Sequence, residues 1–257
     1  MKLLSKVMGP STQSLINELK LSPGLVCLDV GCGGGDVSFE LAKIIGPTGQ
    51  VIGVDYDQIK IDLAAKEAEQ QGLNNITFLT HDVYKWKPEE TFDLIYLRFL
   101  LTHLKEPDAL IESLYLNLKP GGVIVVEDID FRGHFSEPHC PAMSKFVELY
   151  SKAVHNRGAD PNIGPRLPTL LQKSGLSNVA TKLVQPVDTE GGIKLLSYMT
   201  LESIAKPILD DKLIEAEELK KISNELYSFV CDPTTMIGGP RVFQVWGHKS
   251  ISPNLQA

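Results

Sequence analysis

Between Leu25 and Ile129 the chain alternates short apolar runs with stretches whose apolar residues recur every three or four positions. LVCLDV (25–30) is apolar almost throughout, with Pro-Gly before it and Gly after it, as a strand buried on both faces requires. From Asp36 onward Val37, Leu41, Ile44 and Ile45 keep helical spacing, until Gly46-Pro47 ends the helix. QVIGVD (50–55) predicts the second strand, and Ile61, Ala64, Ala65 and Ala68 predict a helix closed by Gly72. NITFLT (75–80) and FDLIYL (92–97) are two further strands. Leu110, Ile111, Leu114 and Leu118 mark one helix face, LKPGG (118–122) a turn, and VIVVEDI (123–129) a fifth strand. Strands and helices in strict alternation imply a parallel sheet covered on both faces. Such sheets bind ligands beyond the carboxyl ends of their strands, at the switch point beside the first strand.

After Phe131 the rhythm changes. RGHFSEPHCP (132–141) reads as a polar loop, and Met143, Val147, Tyr150 and Val154 as a helical stripe. A helix carrying Leu167, Leu170 and Leu171 ends at Gly175, before a strand in NVATKLVQPV (178–187). The next fifty or so residues read as mostly helical, with Leu219, Ile222, Leu226 and Phe229 on one face, and RVFQVWGH (241–248) is a last strand. The expected architecture is α/β: a doubly wound, mostly parallel seven-stranded sheet with a helical cap. One domain over residues 1–257 is expected, with a ligand-binding core at 20–130 and substrate-side or cap segments at 131–177 and 188–240.

The 257 residues are enough to bury a core without disulfides or metals. Cys27, Cys32, Cys140 and Cys231 include no C-x-x-C pair, so neither a zinc site nor a disulfide framework is expected. The net charge of −7 and the lack of a dense Lys/Arg run argue against a nucleic-acid partner and for a small molecule. MKLLSKVMGPSTQ is too short and polar for a signal peptide, and no apolar run reaches membrane-spanning length. A soluble, cytoplasmic protein with no membrane partner is expected.

The chemistry concentrates in LDVGCGGGD (28–36), where four glycines follow a strand, open a helix and stop at a carboxylate. Gly31 and Gly33 suit a loop whose backbone approaches a nucleotide ligand. A dinucleotide fold places glycine at the third position of G-x-G-x-x-G, where this chain has Asp36, and a carboxylate there repels a pyrophosphate. Asp29, Asp55 and Asp82 fall in or just beyond the carboxyl ends of the first three strands. Any one of them alone is more economically a turn or helix cap. Three around one glycine loop suit a ligand with positive charge and diol hydroxyls, and suit phosphates badly.

These residues carry a resemblance. LDVGCGGGD, VDYD (54–57), THDV (80–83), FDLIYLRF (92–99) and LKPGG resemble, in order and spacing, the motifs of class I S-adenosylmethionine (SAM)-dependent methyltransferases, which have a Rossmann-like sheet. QVWGHK and NRGADPNIGPRLPTLL resemble a small-molecule subset of that family. The resemblance implies that Gly31, Cys32 and Gly33 pass close to the methionine part of SAM, with Asp29 near its ammonium. It implies that Asp55 accepts from the ribose hydroxyls, Tyr56 packs on the adenosine, and Asp82 and the Val83 N–H meet the adenine. Arg98 would line the cofactor or acceptor side. Cys32 is small rather than reactive in this reading.

Methyl transfer from a sulfonium needs chiefly an acceptor held in line and dry, and a base only where the acceptor must lose a proton. Candidates for that base are His103, His134 and Asp130, with His139, His155 and Asp128 behind them. His103 lies in LLTHLKEP, a segment that serves structure more often than catalysis in the family. His134 and His139 sit in the loop after the fifth strand, where solvated histidines are the ordinary case. The Asn-Pro-Pro-Tyr-like motif of adenine or glutamine N-methylation is replaced by YLRF, and no three-cysteine set for arsenic is present. A small organic acceptor, methylated at O, N or C, is expected. A non-catalytic SAM-binding protein and an NAD-dependent oxidoreductase are the alternatives.

Overall fold

A computed structural model describes residues 2–251. Its main sheet is built from β1 (Val26–Val30), β2 (Gln50–Asp55), β3 (Ile76–Thr80), β4 (Phe92–Arg98), β5 (Leu118–Asp130), β7 (Ser177–Val184) and β10 (Arg241–His248). The order across the sheet is β3-β2-β1-β4-β5-β10-β7, with β1 to β5 parallel and β10 antiparallel to both its neighbours. The order reverses between β1 and β4, so a crevice opens there at the strand ends. This is the doubly wound α/β sheet expected.

Alternation along each strand divides the core between two faces. Cys27, Val51, Leu94 and Tyr96 point to the side covered by α1 (Lys2–Glu18) and α2 (Asp36–Ile45). Leu28, Ile52, Ile95 and Leu97 point to the side covered by α4 (Pro107–Leu116) and α6 (Leu167–Lys173). Helix α3 (Gln58–Gln70) packs Ala64 and Ala68 against Phe39 and Phe78, while Ala65 turns to solvent. A separate apolar cluster joins α5 (Pro141–Asn156), α7 (Gly192–Asp210) and α8 (Ala216–Cys231) to Ile129, Phe131 and Val242. Among the described residues, no helix is long and apolar enough to cross a membrane.

Four details depart from the sequence reading. The N-terminal segment forms α1, a helix that contains Pro10 and packs on α2 and α7. Leu118 leaves the helix and opens β5 opposite Phe92; the next pair is Leu94 with Val123, so the KPGG stretch bulges out, Gly121 taking φ +81°. The polar loop after Phe131 contains β6 (Phe135–Glu137), paired with β9 (Met236–Gly238), which also pairs with β8 (Val187–Asp188). The 178–187 stretch is therefore shared between two sheets. Gly238 is required in the small sheet, because a Cβ there would lie 2.0 Å from the Phe135 ring.

Candidate active site

At the switch point a cleft of about 820 Å³ opens. Asp29, Gly31, Cys32, Gly33, Asp55, Tyr56, Asp82, Val83 and Arg98, the nine positions singled out in the sequence, all line it. The loop after β1 is held by the Gly31 and Cys32 N–H groups, which donate to the Val54 carbonyl at 2.7 and 3.0 Å. Gly31 has φ +72° and Gly33 φ +55°, left-handed conformations that favour glycine. Asp55, 6% exposed, is fixed by two backbone donors: Gly33 N–H at 2.9 Å to Oδ2 and Asp57 N–H at 3.0 Å to Oδ1. Each oxygen keeps a second lone pair for a ligand.

Asp29 is 1% exposed and accepts from the Ser38 hydroxyl at 2.6 Å. Burial pushes its carboxyl up to about 6, against the Ser38 hydrogen bond and the charge of Arg98. Asp82 does what a turn cap does, accepting from Tyr84 N–H at 3.0 Å, yet its half-exposed side chain also borders the cleft. Asp57, not Asp55, caps α3, accepting from the Ile59 and Lys60 N–H groups. Tyr56 is 77% exposed, an aromatic face open for a ligand to cover. Burial, with Asp29 and Asp55 nearby, pushes the Cys32 thiol far up, away from any thiolate.

Arg98 is largely buried, its guanidinium 3.5 Å from Asp36 and 3.4 Å from the Thr12 hydroxyl. It ties the cleft wall to α1. Asp36 stands in the first turn of α2 and lines the cleft, so a carboxylate occupies the place where a pyrophosphate would meet a helix N-terminus.

A second cavity, about 470 Å³, lies against the first. Its walls include Ile129, Phe131, Phe146 and Tyr150 on one side and Leu196 and Ile204 of α7 on the other. Leu4, Phe99, His103 and Arg157 border both spaces. Phe99 adopts φ +54°, a conformation rare for a bulky residue, and its N–H donates to the Glu127 carbonyl at 2.8 Å. The strain sits at the seam between the two spaces.

The three catalytic candidates separate in space. His103 is at the seam, and enclosure, with Arg157 and Lys60 nearby, holds its pKa below the ordinary histidine value. His134 lies in the second cavity with its ring 4.2 Å from that of Phe131; Nδ1–H donates to the Phe131 carbonyl at 2.8 Å. Nε2 is thereby left with its lone pair, and burial pushes the pKa down to about 4. Asp130 borders neither space. Its carboxylate pairs with Arg132 at 2.8 Å and Arg241 at 2.7 Å.

Leu4, Phe99 and Arg157 at the seam, and Phe146 behind His134, are functional positions that the sequence did not single out. Leu4 sits in the unforeseen α1, and Arg157 ends α5 in a segment noted only for its resemblance. Phe99 gave one signal, its place as the last residue of the FDLIYLRF motif, two positions past the predicted strand end.

A family model described as a methyltransferase domain matches residues 21–173. The chain belongs to the class I SAM-dependent methyltransferase family. It is 31% identical over 146 residues to a demethylmenaquinone methyltransferase of Lactobacillus johnsonii, covering 56% of this chain and 57% of that protein. It is 29% identical over 170 residues to phosphoethanolamine N-methyltransferase 1 of Zea mays, covering 66% of this chain and 31% of that one. The chain spans about half the length of the first of the curated relatives it matches. Among solved structures, YcgJ from Bacillus subtilis superposes with TM-score 0.62 at 16% identity, over 93% of this chain and 98% of that one. Phosphoethanolamine N-methyltransferase 2 of Haemonchus contortus, bound to phosphomonomethylethanolamine and S-adenosylhomocysteine, gives TM-score 0.59 at 17% identity, over 94% and 52%. At those identities the likeness is one of fold.

Proposed function

We propose that this protein uses SAM to methylate a small, largely apolar organic acceptor. The observation that best supports this is the pair of adjoining spaces, one ringed by carboxylates and one walled by aromatic rings, with four residues in common. The first fits SAM by its hydrogen-bond acceptors. It offers carboxylates for an ammonium and a ribose diol, and sets Asp36 against any pyrophosphate. In this reading Asp29 meets the ammonium, Asp55 takes the ribose hydroxyls, Asp82 and the Val83 N–H meet the adenine, and Tyr56 covers the adenosine. Gly31, Cys32 and Gly33 let the backbone approach, and Arg98 holds the wall.

SAM supplies a methyl group already activated on a sulfonium. The chain's own task is to align the acceptor, exclude water and, where needed, take a proton. Phe99 and Leu4 shape the passage between the spaces. His103, kept neutral at the seam, is placed to accept a proton from an acceptor hydroxyl, acidic carbon or ammonium. We assign residues 20–130 to SAM and the segments 131–177 and 188–240 to the acceptor, within one domain. The relatives are named for different acceptors, demethylmenaquinone and phosphoethanolamine. The lining of Phe131, Phe146 and Tyr150 favours an acceptor of aromatic or extended apolar character over a small phosphoester.

Calorimetry of the protein with SAM, S-adenosylhomocysteine and NADH tests the cofactor, and transfer of a labelled methyl group to phenols, amines and acidic-carbon compounds tests the acceptor. Binding of the first two without NADH, followed by transfer, is the expected result. Binding of NADH alone would overturn the reading.

A further inference from the structure

The chain has five arginines, and four of them pair with carboxylates. Arg98 pairs with Asp36, Arg132 and Arg241 with Asp130, and Arg166 with Asp108 and Asp160. Arg157 has no carboxylate partner among the described residues. It is also the arginine that borders both the acid-lined cleft and the apolar cavity. Its charge reaches His103 and the Tyr150 hydroxyl, both of which line the apolar cavity.

We propose that Arg157 is a specificity-determining residue that binds an organic oxyanion on the acceptor, the rest of which lies in the apolar cavity. This rests on the methyltransferase reading above. The polar groups of that cavity narrow the choice. Ser197, Thr200 and Ser203 turn their hydroxyls back onto α7, donating to the carbonyls of Ile193, Leu196 and Thr200. His134 spends its Nδ1–H on the Phe131 carbonyl. Arg157 is the one formally charged residue lining the cavity, so nothing there offers a carboxylate to an acceptor ammonium. One guanidinium matches one negative charge and presents two parallel donors to a carboxylate or an ionised hydroxyl. A phosphate dianion would find no second cationic side chain among the residues lining the cavity.

The ordinary alternative is that Arg157, at the C-cap of α5, only complements the helix dipole. That role needs a positive charge and no fork, and it has no bearing on what the cavity binds. The two accounts therefore differ in binding measurements.

The test uses the full chain saturated with S-adenosylhomocysteine and compares matched probes by calorimetry: benzoate against benzamide, and para-nitrophenolate against nitrobenzene. The anion of at least one pair should bind tighter than its neutral partner by about 10-fold or more, the range of a charge-assisted contact. Arg157→Gln should erase that preference while neutral probes bind as before, and Arg157→Lys should restore only part of it. A preference in the first pair assigns a carboxylate, in the second an ionised hydroxyl. Equal binding within both pairs, or a preference that survives in Arg157→Gln, would overturn the inference. If the wild-type protein fails to bind S-adenosylhomocysteine at all, the methyltransferase reading falls first, and the two failures are told apart. Should Arg157→Gln unfold, the lysine variant decides: anion affinity equal to wild type would reduce Arg157 to a point charge on a helix end and overturn the proposal.

Discussion

Asp55 and Asp29 are both acids at strand ends, and their environments prepare them for different tasks. Asp55 is oriented by two backbone donors and retains lone pairs toward the cleft, so Asp55→Ala should weaken SAM by about 1.5–3 kcal/mol, the range of hydrogen bonds to a charged group, with the fold intact. Unchanged affinity in a folded variant would remove Asp55 from the site. Asp29 is held by burial at about 6, so near that pH it is only partly ionised. A cationic ligand favours the carboxylate. Binding of SAM near pH 6 should therefore release a proton, and affinity should fall as pH drops below about 6. Calorimetry in buffers of different ionisation enthalpy reads this directly, and a buffer-independent heat would sever Asp29 from the ligand's charge. These acids were legible because glycines, strand ends and carboxylates are local signals at fixed spacing. Arg157 was not legible. What distinguishes it is the absence of a partner, and partners are set by tertiary packing.

The elements follow the same division. The strands β1 to β5 are continuous apolar runs and could be bounded from sequence to within a residue or so, apart from the bulge that opens β5. Helix α1 contains Gly9-Pro10, a pair that signals a break, and its anchoring is tertiary: Met8, Leu15 and Ile16 are buried in the core, and Thr12 joins a distant polar network. Thr12 donates to Glu127 Oε1 at 2.8 Å, the same oxygen that accepts from the Tyr96 hydroxyl at 2.6 Å. Strands of two or three residues, such as β6, β8 and β9, are too short to show a period of two. The loops beside the small sheet are tied together by Lys194, 1% exposed, whose ammonium lies 2.7–2.9 Å from the carbonyls of Thr189, Asp232 and Thr235 and from the Thr235 hydroxyl and shares its three N–H donors among them. This cation joins the start of α7 to the loop after α8. Lys194→Met keeps the length but leaves the buried Thr235 acceptors bare and cuts the ties to Thr189 and Asp232, and should destabilise the protein by about 2–4 kcal/mol in urea unfolding. Loss of SAM affinity to the same degree is not expected, since Lys194 borders neither the cleft nor the cavity. A variant as stable as wild type would show that the carbonyls find other donors.

For the molecule as a whole, the buried ionisable groups around the two spaces pull stability in opposite directions with pH. Asp29 and Asp128 are raised by burial from 3.8 to about 6 and about 7. The folded state holds their protons where the unfolded chain has released them, so each contributes stability that is lost as pH rises through that window. His134 is lowered from 6.5 to about 4, and His103 is lowered as well. There the unfolded chain binds the extra proton, so each contributes stability that grows as pH rises toward 6.5. Over pH 4 to 6.5 the two carboxyls and two imidazoles oppose one another, and the ligand-free protein should show a shallow profile. Removing one group exposes the others. Asp128→Asn deletes a falling contribution, so its stability should climb with pH by up to about 1.4 kcal/mol per pH unit relative to wild type. His134→Leu should do the reverse, falling as pH rises. Only the slopes are compared, because Asp128 also accepts from Thr102 N–H and Ile129 N–H and its replacement shifts the absolute level. Urea midpoints across the window decide it, and parallel profiles for wild type and both variants would show that these groups titrate alike in the folded and unfolded chains.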